Sequence, residues 1–448
     1  MAANSFRIPY WDWATDSNLP PATTWPEITV NTPDGEQTIL NPLYSFTWPS
    51  FPLDHDPAWF PTTDDPGLWN STGTQRDLNP SGNLALVVES LREKVYTVLA
   101  RTKDFNSMAT RSSPGPSLEE PHDDVHNAAG KFMANALYSA FDPIFWLHHA
   151  NVDRLTAFWQ AINYNTTYQT EAADIETGTW AQPNGTQMTA DSPLAPFYQA
   201  GGGTFHTGKT MAKLDTFGYT YPEINDWALS PDRTRQIVIR QVNQLYGANH
   251  LTPSRGRRRQ RKDESDPPTH PHRRGESEPG LRPQAEQRQY YVQIGVERSE
   301  LDLPCNIQVL LGEDTVAGSA AIMALPPAGP TYAEIQLNRG IEQFTSCVED
   351  KAVVALLEQS FRVEIRKANG TIIPADSVPS LTIDVESVDV RFPDADDEFP
   401  VYGPSTRYPK IGKPPGRYGT SGRRDGGGGL GVGSSIARIV NFVRARPL

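Results

Sequence analysis

The sequence predicts a mainly α-helical core, an antiparallel helix bundle with long loops, followed by a β-sandwich-like C-terminal domain. Three observations lead to this prediction. Apolar residues recur at helical spacing through residues 82–100, 142–162 and 231–246. Residues 289–393 instead contain short β-rich segments with partial alternation of apolar and polar side chains. A charged, proline-rich stretch at residues 247–288 separates the two patterns.

The helical segments carry recognisable starts. Residues 82–100 repeat leucine and valine every three or four positions, which is typical of an amphipathic helix. Residues 118–138 form a second helical region, which contains two histidines. In residues 142–162, Asp142 is the expected N-cap, and Pro143 follows it at a position where the missing N–H costs nothing.

The composition changes divide the chain into four parts. We expect residues 1–246 to form the helical core, 247–288 a disordered basic and proline-rich linker, 289–393 the β-domain, and 394–448 a mobile glycine-rich tail. The basic run RGRRRQRK in the linker is a good protease target. Nuclear import or nucleic-acid binding is the alternative interpretation of that run.

Composition limits the functional classes. The chain has 448 residues, enough for two or three domains, and a formal net charge of -13, which argues against a general nucleic-acid binder. It has no 18-residue apolar run, so no membrane span is expected. Its first residues lack a signal-peptide pattern, so a cytoplasmic location is expected. Two cysteines, Cys305 and Cys347, form no disulfide framework, and both their pairing and the oligomeric state stay open.

Candidate metal ligands lie between residues 119 and 155. His122 and His126 are four positions apart, which on a helix puts both imidazoles on one face. His149 follows 23 positions after His126 on the next predicted helix, and an antiparallel helix pair would bring it to the same point. Three neutral imidazoles suit copper or zinc. The spacing alone does not choose between these metals, and histidines four apart are also common on protein surfaces.

The sequence around these histidines resembles the second copper motif of tyrosinases and their type-3 copper relatives. It reads HDDVH at 122–126 and AFDPIFWLHHANVDRL at 140–155. The RIPYWDWA stretch at 7–14 resembles the segment between the two copper motifs of fungal tyrosinases, and FGYTYPE at 217–223 resembles the Tyr-x-Tyr segment that closes their core. Residues 289–393 look like the C-terminal domain that covers the active site of fungal proenzymes.

The resemblance implies a ligand set. His122, His126 and His149 match the three ligands of the second copper, each binding through a ring nitrogen. In the doublet, the second histidine holds the ligand position, and His148 is interpreted as a packing neighbour.

Other matching positions receive supporting roles from the same resemblance. Phe145 matches a bulky residue beside the copper pair. Glu119 matches the glutamate that holds a water which helps to deprotonate phenols, and Asp123 matches the residue that orients this water. Asp153 and Arg154 look like residues that fix the helix and its histidine.

The implied activity is that of a tyrosinase-like copper oxidoreductase. Such enzymes use dioxygen to hydroxylate monophenols to catechols and to oxidise catechols to o-quinones, which leads to melanin-type pigments. The family chemistry needs two coppers, and its first copper has three further histidines upstream of the RIPYWDWA stretch. The residues before that stretch here include no histidine, and His55, His206 and His250 lie in loops or beside the linker. The sequence therefore predicts one copper half-site and an inactive chain.

Three interpretations stay open at this point. The first is an enzyme whose upstream part is missing from this sequence. The second is a naturally shortened relative that binds one metal or a phenol without turnover, and the third is a structural or interaction protein that keeps only the fold. In-frame upstream coding sequence with three more ligand histidines would favour the first, and copper content would separate the second from the third.

Overall fold

The computed structural model describes residues 5–49, 71–174, 181–247, 286–313, 315–345, 349–367 and 369–412. The predicted linker, except at its two ends, and the predicted tail beyond residue 412 lie outside the described residues. None of the helices in these ranges combines the length and the apolar character that crossing a membrane requires.

The helical elements begin and end as follows. The described helices are α1 Pro80–Arg101, α2 Phe105–Ala109, α3 Glu119–Ala129, α4 Ile144–Ile162, α5 Pro231–Tyr246, α6 Asn338–Glu342 and α7 Asp350–Ser360. The first five belong to the helical core. The last two lie among the strands of the β-domain.

The strands occur in two groups. Short hairpins in the helical core are formed by β1 Glu27–Thr32 with β2 Gly35–Leu40, and by β3 Ala173–Asp174 with β4 Gln187–Met188. The β-domain contains β5 Glu286–Glu297, β6 Cys305–Leu311, β7 Thr315–Ile322, β8 Pro330–Gln336, β9 Phe361–Lys367, β10 Ile372–Ile373, β11 Thr382–Arg391 and β12 Val401–Arg407.

Helix α1 shows how the sequence sets a helix start. The side chain of Asn79 accepts a hydrogen bond from the N–H of Gly82, and Pro80 occupies the first helical position. The cap is therefore Asn79. Asn83 lies inside the helix, where it donates to the Asp77 carboxylate and the Ala128 carbonyl. The helix begins slightly earlier than its apolar periodicity indicates because the cap and the proline precede the first core residue.

Helix α3 is shorter than the helical region predicted over residues 118–138. It ends at Ala129 because Gly130 has a φ of 74°, a left-handed conformation that glycine adopts readily. Turns follow it. Helix α4 begins at Ile144, whose N–H is accepted by Asp142 Oδ1 at 3.1 Å, and Asp142 also pairs with Arg76.

The helical core is one apolar cluster built from α1, α3, α4 and α5. Buried side chains from each helix meet there together with tryptophans of the N-terminal segment, among them Leu91, Val125, Phe158, Val238 and Trp13. Side chains of α3 and α4 share this cluster, and the shared core positions the histidines of the two helices.

The β-domain is a sandwich of two antiparallel four-stranded sheets, as the sequence predicts. Their strand orders are β10-β9-β6-β7 and β12-β11-β5-β8. Alternate residues of both sheets, such as Ile294 on one and Ile307 on the other, fill a shared apolar core. Strand β12 pairs with β11 and Ile411 is buried, so the domain continues past the predicted boundary at residue 393. The sequence does not predict β12, because nearly all of its residues are exposed and buried and exposed positions do not alternate along it.

Candidate metal centre

Three histidine rings converge between α3 and α4. His122 and His126 lie one turn apart on α3, and His149 lies in the second turn of α4. The Nε2 atoms are 3.1 Å apart between His122 and His126, and 3.3 Å from each of these to His149. The structure thus brings together the three residues that the sequence analysis singles out as ligands.

The outer nitrogens of two rings set their tautomers. The Nδ1 of His126 lies 2.7 Å from the Met133 carbonyl, which only accepts, so Nδ1 carries the hydrogen. The Nδ1 of His122 lies 3.0 Å from Asp123 Oδ1 and donates to this carboxylate. The Nε2 of His126 therefore presents a lone pair, and it lies 3.1 Å from the Nε2 of His122, whose Nδ1 hydrogen is also committed. Two ring nitrogens this close need either a proton or a metal ion between them.

The rings of His126 and His149 are neutral at physiological pH. Burial, with a further contribution from His122, lowers the pKa of His126 to about 3 and the pKa of His149 to about 3. A neutral imidazole is the form that binds a metal, so no proton has to leave these two rings first.

The spacing fits a metal ion of ordinary bond length. The corners of a triangle with sides of 3.1, 3.3 and 3.3 Å lie about 1.9 Å from its centre, close to the ~2 Å of metal–imidazole bonds. An all-nitrogen donor set suits copper or zinc. The residues present therefore fit the metal that the resemblance implies.

His148 joins the same cluster. With His122, His126 and His149 it forms a group of four whose ligand atoms lie within 4.8 Å of one another. It is wholly buried, and neither ring nitrogen has a hydrogen-bond partner among the described residues. Burial and the neighbouring histidines hold its pKa well below the ordinary range. The His148 ring stacks on the His122 ring, with 5.1 Å between the ring centroids.

The three supporting residues of the sequence analysis lie around the cluster. The ring of Phe145 stacks on His149 at 4.0 Å between centroids. The Glu119 carboxylate, at the start of α3, accepts the backbone N–H of Arg111 at 2.7 Å. Asp123 is buried between His122 and Arg111, and burial alone would raise its pKa, but hydrogen bonds from both neighbours outweigh this effect and lower it.

Sequence reasoning missed two of the groups that hold the rings. The Met133 carbonyl orients His126, and nothing in a sequence marks a backbone atom for that role. Arg111 holds Asp123 at 3.0 Å from a loop 12 residues upstream, where it resembles any surface arginine, although it is 1% exposed.

Side chains from two segments that are distant from each other in sequence hold α4 in position. The hydroxyls of Tyr219 and Tyr221 both donate to Asp153, at 2.8 and 2.5 Å. The Arg154 guanidinium donates to Asp12 and to Glu223. The side chains of Asp153 and Arg154, which follow His149 on α4, therefore connect this helix to the RIPYWDWA and FGYTYPE stretches.

Comparison with known proteins identifies the same region. Residues 1–162 match the model of the common central domain of tyrosinase. A tyrosinase of Neurospora crassa is 37% identical over 55% of this chain and 39% of its own length, and a tyrosinase of Podospora anserina is 35% identical over 55% and 46%. The chain thus spans less than half the length of these curated relatives.

Solved structures share the fold over a larger part of the chain. Recombinant mushroom tyrosinase has a TM-score of 0.73 at 21% identity, covering 92% of this chain and 77% of its own. A pro-tyrosinase mutant of Aspergillus oryzae has a TM-score of 0.59 at 17% identity, covering 90% and 74%. Helical core and β-domain therefore both belong to a known architecture.

Copper is the metal of the tyrosinase family, and the four-histidine group is a site that could hold it. The matched central domain and the fungal relatives show that residues 1–162 carry the central domain of tyrosinases, and the helical core and β-domain share the fold of solved tyrosinases.

Proposed function

We propose that this chain binds one copper ion through Nε2 of His122, His126 and His149, and that it supplies half of a two-copper site for phenol oxidation by dioxygen. The observation that carries the proposal is the convergence of three Nε2 atoms at 3.1–3.3 Å, in a cluster where the Nδ1 atoms of His122 and His126 are already committed. Copper, when bound, would supply the redox and oxygen-binding chemistry.

The chain's own groups hold the ligands in position. Asp123 fixes the tautomer of His122, the Met133 carbonyl fixes that of His126, and Phe145 restricts the rotation of His149. Glu119 keeps one carboxylate oxygen beyond its bond to the Arg111 N–H, and we propose that this oxygen accepts the phenol proton through a water.

The described residues contain a single group of three or more potential metal ligands. Two-copper chemistry needs a second set, so we propose that this chain by itself binds a metal but does not oxidise phenols at the rate of an intact tyrosinase. The relatives named tyrosinase support monophenol and catechol oxidation as the function of a protein with both sets.

Copper content tests the proposal directly. The purified chain, loaded with copper and freed of excess by gel filtration, should hold about one equivalent by elemental analysis. The His126→Ala, His149→Ala double variant should lose it, because only one of the three proposed ligands would remain.

His206→Ala is the matched control. His206 lies outside the cluster and bonds Thr210 at 3.1 Å, so its removal should leave the copper content unchanged. Equal copper in the wild type and the double variant would refute the ligand assignment. Rapid oxygen uptake with a catechol would instead contradict the proposed inactivity of this chain.

A further inference from the structure

Each sheet of the β-domain turns an edge strand toward the helical core. Strand β7 ends one sheet and β8 ends the other. An edge strand leaves alternate N–H and C=O groups without a strand partner. On both strands, residues two positions apart direct these groups at the core: Ser319 and Ala321 on β7, and Tyr332 and Glu334 on β8.

Side chains of the core complete the edge of β7. The Lys94 ammonium of α1 donates to the Ser319 carbonyl at 2.7 Å. The Asp124 carboxylate of α3 accepts the Ala321 N–H at 2.9 Å, and the Arg111 guanidinium donates to the Ala321 carbonyl. The groups that a further strand would satisfy are thus satisfied by buried charges.

The edge of β8 is completed in the same way. The N–H of Tyr332 donates to the backbone carbonyl of Arg111 at 2.9 Å, and Nε of Arg111 donates to the Tyr332 carbonyl at 3.0 Å. Two residues along, the N–H of Glu334 donates to the Glu120 carboxylate at 3.2 Å. Arg111 is therefore the residue that contacts the edges of both sheets.

Arg111 also reaches the metal centre. Its Nη1 donates to Asp123 Oδ2 at 3.0 Å, and the other oxygen of that carboxylate accepts Nδ1–H of His122 at 3.0 Å. Arg111 is 1% exposed and Asp123 is 3% exposed, so solvent does not weaken either bond. A continuous set of charge-assisted hydrogen bonds runs from the sheet edges to the His122 ring.

We propose that Arg111 is a positioning residue that couples the docking of the β-domain to the orientation of His122. The inference rests on the proposed role of His122 in binding copper. Arg111 stays extended between Asp123 and the two carbonyls only while β7 and β8 are docked. When they separate, the guanidinium loses these acceptors, and the Asp123 carboxylate loses the donor that fixes it against His122. Docking therefore favours the ring orientation that binds metal, and by thermodynamic linkage bound metal favours docking.

The full-length chain tests the coupling with two readouts. Copper(II) affinity is measured by competition with a chelator, and docking by amide hydrogen exchange of peptides that cover β7 and β8. In the wild type, copper should slow the exchange of these peptides. Arg111→Ala should weaken copper binding roughly ten- to a hundred-fold, as the loss of a group that orients a ligand does, and abolish the copper-dependent slowing.

Asn127→Ala is the matched control. Asn127 lies on α3 and donates to Asn306 of β6 at 3.2 Å, so it contacts the β-domain without touching Asp123. This variant should keep both the copper affinity and the copper-dependent slowing. If Arg111→Ala does not fold, Arg111→Lys serves instead, because one ammonium keeps the charge but cannot span Asp123 and two carbonyls.

The outcomes distinguish copper binding from the coupling of that binding to docking of the β-domain. A wild-type chain that binds no copper would overturn the proposed function and this inference with it. Copper binding without any change in exchange at β7 and β8 would overturn the coupling alone. Wild-type behaviour of Arg111→Lys in both readouts would overturn the role of Arg111.

Discussion

Adjacent side chains of α3 serve different neighbours. Glu119 is partly buried and bonds only the backbone N–H of Arg111. Glu120 is 2% exposed, lies 2.9 Å from the Lys94 ammonium and accepts the N–H of Glu334. Because successive side chains point about 100° apart around a helix, Glu119 contacts the backbone of Arg111 while Glu120 contacts Lys94 and strand β8.

A pair of isosteric substitutions separates these roles. Glu120→Gln removes a charge that stabilises buried Lys94, which then keeps only Asp124 as an ionic partner, so the free energy of unfolding should fall by about 1–3 kcal/mol. Glu119→Gln keeps an acceptor for the Arg111 N–H and should change it by less than ~0.5 kcal/mol. Urea unfolding followed by tryptophan fluorescence measures both. A larger loss at Glu119 would contradict the orientation of α3 described here.

At the scale of elements, the end of α3 positions the ligand His126. Gly130 stops the helix, and the following turn returns the Met133 carbonyl to the His126 ring. A Cβ added to Gly130 would lie 2.2 Å from Cγ of Asp77, far inside van der Waals contact. Both the left-handed backbone and the close packing therefore require glycine here.

Gly130→Ala should be more destabilising than the same change at Gly185. The two glycines have φ values of 74° and 76°, but a Cβ at Gly185 would meet nothing within 4 Å. Gly185→Ala should therefore cost only the backbone strain, about 1 kcal/mol, while Gly130→Ala should add roughly 1–3 kcal/mol of overpacking. Thermal unfolding of the two variants provides the comparison, and equal melting temperatures would rule out the contact with Asp77 as a constraint.

Helix α1 carries a pH-dependent group where it faces α6. Burial raises the pKa of Glu93 from its ordinary 4.5 to about 8, and Arg339, with Nε 3.7 Å from the carboxylate, opposes this only partly. Between these two pH values the folded chain binds more protons than the unfolded chain, so this group makes stability fall as the pH rises. Glu93→Gln should remove that contribution.

The difference between two stability curves isolates Glu93. The free energy of unfolding of Glu93→Gln relative to the wild type should grow from pH 5 to pH 8 by about 1 kcal/mol or more, since one pKa unit corresponds to 1.36 kcal/mol. Parallel curves over this range would show that the Glu93 carboxylate is already ionised at pH 5.

At the scale of the whole molecule, the linker and the interface between the helical core and the β-domain can each keep the two domains together. The basic run RGRRRQRK lies outside the described residues, and its sequence offers trypsin many sites. We expect brief trypsin treatment to cut there first and to yield a helical and a β fragment on a denaturing gel.

The two fragments should still elute together in gel filtration, because buried Lys94, Arg111 and Asp124 join the core to the sheet edges. Separate elution would show that the covalent link is needed to keep the domains docked, and early cuts within 118–160 would show an unstable core.

The local patterns of the sequence determined the element types and the candidate ligands. The spacing of His122 and His126 predicts one helical face, and the apolar repeats predict α1, α4 and α5 almost to the residue, because these are properties of neighbouring positions. The alternation in residues 289–393 likewise predicts a sandwich, although it conceals the exposed β12. The family resemblance added the choice of His149 over His148.

Only the tertiary structure decided how these residues work together. Gly130 ends α3 inside a predicted helical region, and the chain then turns so that the Met133 carbonyl fixes the tautomer of His126. Arg111 is an unremarkable loop arginine in the sequence, yet it is buried between Asp123 and strands more than 200 residues away. Such contacts depend on the paths of loops and on the docking of one domain on another, and no periodicity within a segment encodes which distant backbone atoms a side chain will meet.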